Sequence, residues 1–289
     1  MQSQADIYTL NSGDLDEEIT RLNTQHVLFD DVMNNELLPP HITAELSSNP
    51  SPKICEIATG TGIWLSAIAK TLPASAELVG LDFDTTKFPP KSQLPVNVEL
   101  KFNDMYEAQP EELQEKFDVV HLRFIAMASR KGQGIALVKN LLTLVKPGGW
   151  FIWGELTENI PHVQPPIDAW SRYLQLAHKF GLQQGRDVEL PQALPHYLKS
   201  AGCVDVDYKV YYAMSLLYGP KGADIIKRSQ NELLMAVNIL VDGILAKGGV
   251  DGLRTKAEGI DIITQTKRDL RGDVKVNTNI FRCYGRKPL

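Results

Sequence analysis

The sequence is short of cysteine, of long apolar runs and of positive charge. Its three cysteines, Cys55, Cys203 and Cys283, form an odd count and two lie in strand-like runs, so we expect buried free thiols in a reducing compartment. No apolar run approaches the roughly 20 residues that a membrane-spanning helix needs. A formal net charge of −5 argues against the basic surface that binds nucleic acid.

The start of the chain also lacks a secretory signal. Residues 1–6 have neither the basic region nor the apolar region of a signal peptide. We therefore expect a cytoplasmic protein with neither a membrane nor a nucleic acid among its partners. The 289 residues, 43% of them hydrophobic and 22% charged, suffice for one large α/β domain or two small ones.

Residues 54–62 carry the most informative pattern, a short apolar run that meets a Gly/Thr turn. A helical pattern follows from Ile63 to Leu72, so the stretch predicts a buried strand, a tight turn and a helix. Glycine lets the backbone of the turn approach a ligand closely. The turn lacks the Lys-Ser/Thr of a phosphate-binding loop, and Glu56 before it would repel a pyrophosphate. It therefore favours a ligand with an ammonium group or hydroxyls, with a purely structural turn as the alternative.

More buried strands follow this turn, and helical patterns separate some of them. The strands are predicted at 76–82, 97–102, 117–123 and 150–155, with a helix at 135–145. Strands that alternate with helices indicate a mostly parallel, doubly wound sheet. Such sheets bind ligands at the carboxyl ends of their strands, where we expect Gly60, Asp82, Asp104, His121 and Glu155.

Two of these acids suit a nucleoside. Asp82 lies 20 residues after Gly62, where a carboxylate of such folds accepts both O–H bonds of a ribose diol. Asp104 follows the third strand, where it would accept a hydrogen bond from an adenine amino group, with Met105 or Phe83 against the ring. An exposed loop acid is the alternative interpretation of Asp82.

The second half of the chain departs from this rhythm. An aromatic stripe at 170–180 and a long amphipathic pattern at 222–245, with a further helix to about Leu270, predict helices near the strand ends. The aromatic stripe fits a core as well as a pocket. A helix at 193–201 and strands at 203–212 and 274–284 complete the predicted elements.

The motifs together resemble a known family. They are Glu18-Ile-Thr-Arg21-Leu-Asn-Thr-Gln25-His26, Glu56-x-Ala-Thr-Gly-Thr-Gly62, Gly80-Leu-Asp82, Asn103-Asp104, Phe117-Asp-Val-Val-His-Leu-Arg123, Leu144-Val-Lys-Pro-Gly-Gly-Trp150 and Gly285-Arg-Lys-Pro288. In this order the chain resembles the class I S-adenosylmethionine-dependent methyltransferases. More narrowly, it is similar to the fungal secondary-metabolism methyltransferase group.

The resemblance implies a Rossmann-like, doubly wound, seven-stranded and mostly parallel sheet, with S-adenosyl-L-methionine as the cofactor. The implied cofactor-binding residues are Gln25, Glu56, Ala58, Thr59, Gly60, Gly62, Asp82, Phe83, Asp104, Met105 and His121. Ala58 replaces the first glycine of the family's turn, so its methyl group would crowd the cofactor or shift the backbone. For catalysis we expect a base among His162, which follows the fifth strand, His121 and Glu155, and no metal.

We predict one domain over residues 1–289. Its parts are an N-terminal helical cap (1–50), the cofactor-binding core (51–160), helical lid insertions (161–190 and 221–272) and the last core elements (191–220 and 273–289). The function expected is O- or N-methylation of a small apolar natural product, because the chain lacks the Asp/Asn-Pro-Pro-aromatic motif of relatives that methylate nucleic-acid amino groups. A regulator of the same fold and a cofactor-binding catalyst of a rearrangement stay as alternatives. The oligomeric state is open, with a homodimer as one alternative.

Overall fold

The fold is built on a large β-sheet. A computed structural model describes residues 14–157, 163–213, 219–272, 274–276 and 279–289. The strands are β1 (Lys53–Ile57), β2 (Glu77–Asp82), β3 (Val98–Phe102), β4 (Phe117–Arg123), β5 (Val145–Thr157), β6 (Val163–Gln164), β7 (Val204–Tyr211), β8 (Lys275–Val276) and β9 (Asn279–Arg286). Seven of them form one sheet in the order β3-β2-β1-β4-β5-β9-β7, in which β9 is antiparallel to β5 and β7 and the other pairs are parallel. The predicted seven-stranded, mostly parallel sheet is confirmed.

Helices cover both faces of this sheet. They are α1 (Leu15–Val32), α2 (Pro40–Ser47), α3 (Ile63–Ile68), α4 (Gly134–Leu142), α5 (Asp168–Gln183), α6 (Leu194–Ala201), α7 (Gly222–Ala246) and α8 (Lys256–Asp269). The α2 and α3 helices share an apolar core with one face, around Trp64 and Ile152, and α4 and α6 share another with the opposite face, around Leu122 and Leu141. Because both faces are covered, β1 and β4 are buried along most of their length. None of the helices in the described ranges is long and apolar enough to cross a membrane.

The connections between the strands of the large sheet differ in local structure, and one helix prediction is wrong. The connections at 83–97 and 103–116 contain short 3₁₀ turns. The helix predicted at 135–145 ends at Leu142, because Val145 already pairs with Phe117 in the sheet. Residues 146–149 lie inside β5, where the register shifts between Phe117 and Val119.

The lid segments pack around an apolar core of their own. Phe180 of α5, Val237 of α7 and Ile262 of α8 belong to this core. Beside it, β6 and β8 form a two-stranded antiparallel sheet, with Val163 opposite Val276. The prediction of one continuous strand over 274–284 is therefore wrong. The β8 strand pairs with a lid segment, and β9 alone joins the large sheet.

The α1 helix connects the cap to the lid. Its N-terminus is capped by Asp14, whose carboxylate accepts the N–H groups of Asp16 at 2.9 Å and Glu17 at 3.1 Å. Near its other end, Asp31 pairs with Arg228 of α7 at 2.6 Å. This ion pair holds the first half of α7 against α1.

Candidate active site

A cavity of about 350 Å³ lies at the carboxyl ends of β1, β2, β4 and β5. Its floor is the turn at 58–61, and α1, α5 and α7 form its walls. The polar lining includes Arg21, Asp82, Asp104, Glu155 and Glu232. The apolar lining includes Phe29, Phe83, Phe124, Tyr173, Met235 and Ile239. Within the described ranges, no cluster of three His, Cys, Asp or Glu side chains is placed to hold a metal ion.

Hydrogen bonds fix the turn after β1. Thr59 donates its hydroxyl to Glu56 Oε2 at 2.6 Å, and the Gly60 N–H donates to Asp82 Oδ2 at 2.7 Å. Ala58, Thr59 and Gly60 line the cavity. Ala58 has a φ of 53°, close to the 58° of Gly60. An alanine thus occupies a left-handed conformation that glycine adopts without strain.

Two predicted cofactor-binding residues lie behind the turn. Gly62 precedes α3 with a φ of 70°, and a Cβ at this position would meet Leu100 Cδ1 at 3.0 Å. Glu56 is fully buried beneath the turn. Neither is among the described residues that line the cavity. Glu56 and Gly62 therefore shape the turn from behind and do not form the surface of the cavity.

Asp82 connects the turn to the end of β2. Its Oδ2 accepts the Gly60 N–H, and its Oδ1 accepts the Asp84 N–H at 2.9 Å. Burial raises the pKa of this carboxyl, and the two backbone hydrogen bonds oppose the rise. A carboxylate has about four acceptor sites, and the side chain lines the cavity. Asp82 is therefore able to accept hydrogen bonds from a diol while it holds the turn.

The loop after β3 supplies a second group of cavity residues. The Asp104 carboxylate accepts the Tyr106 N–H at 2.9 Å, and Asn140 donates to the Met105 carbonyl at 2.9 Å. Both Asp104 and Met105 line the cavity, together with Asn103, which the sequence prediction omits. The Asn103 Oδ1 is enclosed and has no hydrogen-bond partner among the described residues. An adenine amino group is a donor of the kind that this oxygen lacks.

A buried network behind the turn joins α1 to β4. Arg123 Nε donates to Glu56 Oε1 at 3.1 Å, and Arg123 Nη1 lies 3.1 Å from His26 Nδ1. Because a guanidinium only donates, Nδ1 accepts, and the proton of His26 sits on Nε2, which lies 3.4 Å from Asp30 Oδ2. Burial and the charge of Arg123 lower the pKa of His26 to about 3, so this imidazole is neutral. Burial opposes ionisation of Glu56, but the charge of Arg123 and the hydrogen bond from Thr59 hold the pKa of Glu56 below its usual value.

His121 packs behind the turn as well. Its ring stacks on Trp64 with the centroids 3.9 Å apart, and its Nδ1 lies 3.8 Å from Glu56 Oε1, too far for a hydrogen bond. Burial lowers the pKa of His121 to about 4. The side chain is not among the described residues that line the cavity. This placement does not favour the predictions that His121 contacts the cofactor or acts as the base.

Glu155 lies at the cavity wall near the end of β5. Its Oε1 accepts the Ile125 N–H and the Trp153 indole N–H, both at 2.8 Å. Burial raises the pKa of Glu155 to about 7, although these hydrogen bonds oppose the rise. The other predicted base in this region, His162, lies outside the described residues, so its role stays a prediction.

Arg21 and Glu232 are among the charged cavity residues that the predicted site omits. Arg21 makes a two-point ion pair with Glu18, at 2.8 and 2.7 Å, and their spacing of three on a helix is visible in the sequence. Glu232 lies on α7, and its Oε1 is enclosed without a hydrogen-bond partner among the described residues. Burial raises the pKa of Glu232 to about 7, and the charge of Arg21 opposes the rise. No sequence signal distinguishes Glu232 from the other acids of an amphipathic helix.

Comparison with known proteins agrees with this geometry. A family model described as a methyltransferase domain matches residues 32–208. The chain is 32% identical over 197 residues to methyltransferase grgD of a Penicillium species. This alignment covers 66% of each chain. It is also 32% identical over 197 residues to N-methyltransferase tcpN of Claviceps purpurea, which covers 67% of this chain and 68% of that one. The aligned segment thus spans about two thirds of the length of each relative.

A solved structure shares the fold. Phosphoethanolamine N-methyltransferase 2 of Haemonchus contortus, in complex with phosphomonomethylethanolamine and S-adenosylhomocysteine, matches with a TM-score of 0.50. The match covers 92% of this chain and 58% of that one. At 13% sequence identity, the likeness concerns the fold alone.

Proposed function

The chain belongs to the methyltransferase-domain family, within the class I S-adenosylmethionine-dependent methyltransferases, and on this premise we propose that it methylates a nitrogen atom of a small apolar natural product. The observation that carries the proposal is the cavity, where the acids and the turn at the sheet edge face the apolar walls of α5 and α7. The name of the N-methyltransferase tcpN supports nitrogen over oxygen as the acceptor.

The residues at the strand ends fit S-adenosyl-L-methionine. Asp82 would bind the ribose diol, and Asp104 would accept a hydrogen bond from the adenine amino group. Asn103 Oδ1, which has no hydrogen-bond partner among the described residues, would be a second acceptor. Phe83 and Met105 would contact the faces of the ring. The Gly/Thr turn and Gln25 border the same cavity and would hold the methionine half. When bound, the cofactor supplies an electrophilic methyl group on a sulfonium.

The buried network keeps this surface rigid. Glu56 holds the turn through Thr59 and is itself held by Arg123, whose guanidinium also fixes His26 on α1. We assign His121 a supporting role, because it packs between Trp64 and Glu56 instead of facing the cavity. A preorganised floor matters because methyl transfer needs the nucleophile, the carbon and the sulfur in line.

The lid supplies the acceptor's surroundings. Tyr173 of α5, Met235 and Ile239 of α7 and Leu156 of β5 line the cavity with apolar surface, which suits a hydrophobic acceptor and excludes water. His162 and Glu155 stay our candidate bases, Glu155 because its raised pKa lies near neutral pH. The predictions of a cytoplasmic location, of partners other than nucleic acid and of a homodimer stay open to experiment.

Incubation with methyl-labelled S-adenosylmethionine and a fungal metabolite extract tests the proposal. We expect label in an apolar product of low mass, with the new methyl group on nitrogen when the product is analysed by mass spectrometry and NMR. The matched control is Asp82→Ala, which should lose label transfer together with cofactor binding. Cofactor binding without any labelled product would instead support a same-fold protein that binds the cofactor and does not transfer methyl. Label on oxygen would overturn the choice of nitrogen.

A further inference from the structure

The α7 helix presents one carboxylate to the cavity on an otherwise apolar stripe. Glu232, Met235, Ala236, Ile239 and Leu240 line the cavity, and their spacing places them on one side of the helix. The neighbouring residues Leu233 and Val237 pack into the lid core instead. A carboxylate among apolar neighbours is costly to bury unless it has a partner.

The other acids of the cavity already accept hydrogen bonds. Asp82 accepts from Gly60 and Asp84, Asp104 from Tyr106, and Glu155 from Ile125 and Trp153. Asp187 accepts the Tyr197 hydroxyl at 2.6 Å and the Glu189 N–H at 3.1 Å. Glu232 differs from these four, because its Oε1 is enclosed and no described group donates to it.

The position of Glu232 is fixed from outside the cavity. One turn before it on α7, Arg228 pairs with Asp31 of α1 at 2.6 Å and with Asp224 at 2.9 Å. The α1 helix also carries Arg21, whose guanidinium is engaged by Glu18 and whose charge acts on Glu232. The carboxylate therefore sits on an anchored part of the lid, and its Oε1 receives no hydrogen bond from the part of the chain that the structure describes.

We propose that Glu232 binds the acceptor nitrogen, so that the site takes an apolar molecule carrying a basic amino group. An ammonium or amine N–H would supply the donor that Oε1 lacks, while the stripe around it contacts the apolar body. This inference rests on the proposed N-methylation and names its substrate class and a substrate-binding residue.

The Glu232 carboxylate is also placed to accept a proton from the acceptor nitrogen. The acceptor nitrogen must present a lone pair, so an ammonium first gives one proton to solvent or to a base. In the transfer, the nitrogen forms a bond to the methyl carbon while the carbon–sulfur bond breaks and its electron pair stays on sulfur. The methylated nitrogen then carries a positive charge, which the Glu232 carboxylate stabilises or neutralises by accepting its proton.

Binding of a matched pair of probes tests this role. Phenethylamine and 2-phenylethanol differ in the polar group alone, and each is titrated calorimetrically at pH 8 into protein saturated with S-adenosylhomocysteine. We expect the wild type to bind the amine about tenfold to a hundredfold more tightly than the alcohol, because a charge-assisted hydrogen bond is worth that factor. Glu232→Gln should lose this preference and keep its affinity for the alcohol. Asp242→Asn removes an exposed carboxylate from the same helix and should behave like the wild type.

The same probes are then incubated with labelled S-adenosylmethionine in place of S-adenosylhomocysteine. This second experiment separates the binding role of Glu232 from the proposed N-methylation. If Glu232→Gln keeps the amine preference, or if the wild type does not prefer or bind the amine, the role of Glu232 is refuted. Equal rates of N-methylation by the wild type and Glu232→Gln would refute it as well, while the proposed function stands. If the amine binds in a Glu232-dependent way but receives no label, the binding role stands and N-methylation of this amine class is refuted.

Discussion

Reciprocal substitutions in the turn after β1 test whether Ala58 is strained. Ala58 and Gly60 have nearly the same left-handed φ, 53° and 58°, in one turn of the cavity floor. Chain entropy alone would make Ala58→Gly slightly destabilising. The left-handed φ reverses that expectation, because a glycine at this position has no Cβ to clash with its own backbone.

The magnitudes follow from the geometry. A left-handed conformation costs an L-residue about 1–2 kcal/mol, and an added glycine costs about 0.4–1 kcal/mol through the unfolded chain. The Ala58 side chain is half-buried against the core, so loss of its methyl group costs about half of the roughly 0.8 kcal/mol of a fully buried one. We expect Ala58→Gly to be about 0.5 kcal/mol more stable than the wild type. Gly60→Ala should be about 1 kcal/mol less stable by the same strain and entropy values, since its new Cβ meets only Leu22 Cδ1, at an ordinary 3.4 Å.

Chemical denaturation of the wild type and both variants measures these free energies, and titration with S-adenosylhomocysteine measures the effect on the site. Ala58→Gly should bind as tightly as the wild type or more tightly, because the floor loses a methyl group. Gly60→Ala should bind more weakly, because the floor gains one. If Ala58→Gly is destabilised by more than about 1 kcal/mol, packing of the methyl group outweighs backbone strain and the reasoning is refuted.

Three further predictions concern the cofactor, the pH dependence and the lid. Asp82→Ala should bind S-adenosylhomocysteine about tenfold to a hundredfold more weakly, since hydrogen bonds to a charged group are worth roughly 1.5–3 kcal/mol. The control is Asp84→Ala, which should bind normally because Asp84 is not among the described residues that line the cavity. Because burial raises the pKa of Glu155, its protonated carboxyl contributes to the stability of the fold at low pH, and this contribution is lost as the pH rises towards 7. Between pH 4 and 8, the free energy of unfolding should therefore fall by about 2–3 kcal/mol more in the wild type than in Glu155→Gln. A difference between the two proteins that stays constant with pH would contradict the assignment. Cofactor and methylated product together should slow hydrogen exchange in α5 and α7, and protection confined to residues 1–155 would show that these helices are scaffold.

The sheet and the cofactor end of the site were predictable because their signals are local. The turn at 58–62 must follow a buried strand and precede a helix, and Asp82 must end the next strand, so their common edge follows from the topology of a parallel sheet. Ala58, Gly60, Asp82 and Asp104 do line one cavity. The helix predicted to reach Val145 failed for a non-local reason, namely the pairing of that residue with Phe117.

The sequence by itself therefore determined where most strands lie along the chain, the Gly/Thr turn and the acids at the strand ends, since each depends on neighbours along the chain. Tertiary structure alone decided which way His121 faces, because β4 is buried on both sides and its pattern does not distinguish them. It also decided that β8 joins β6, more than a hundred residues earlier in the chain, and that Glu232 enters the cavity. These placements depend on how α1, α5 and α7 pack over the strand ends, and contacts between distant segments leave no periodic signal in the segments themselves.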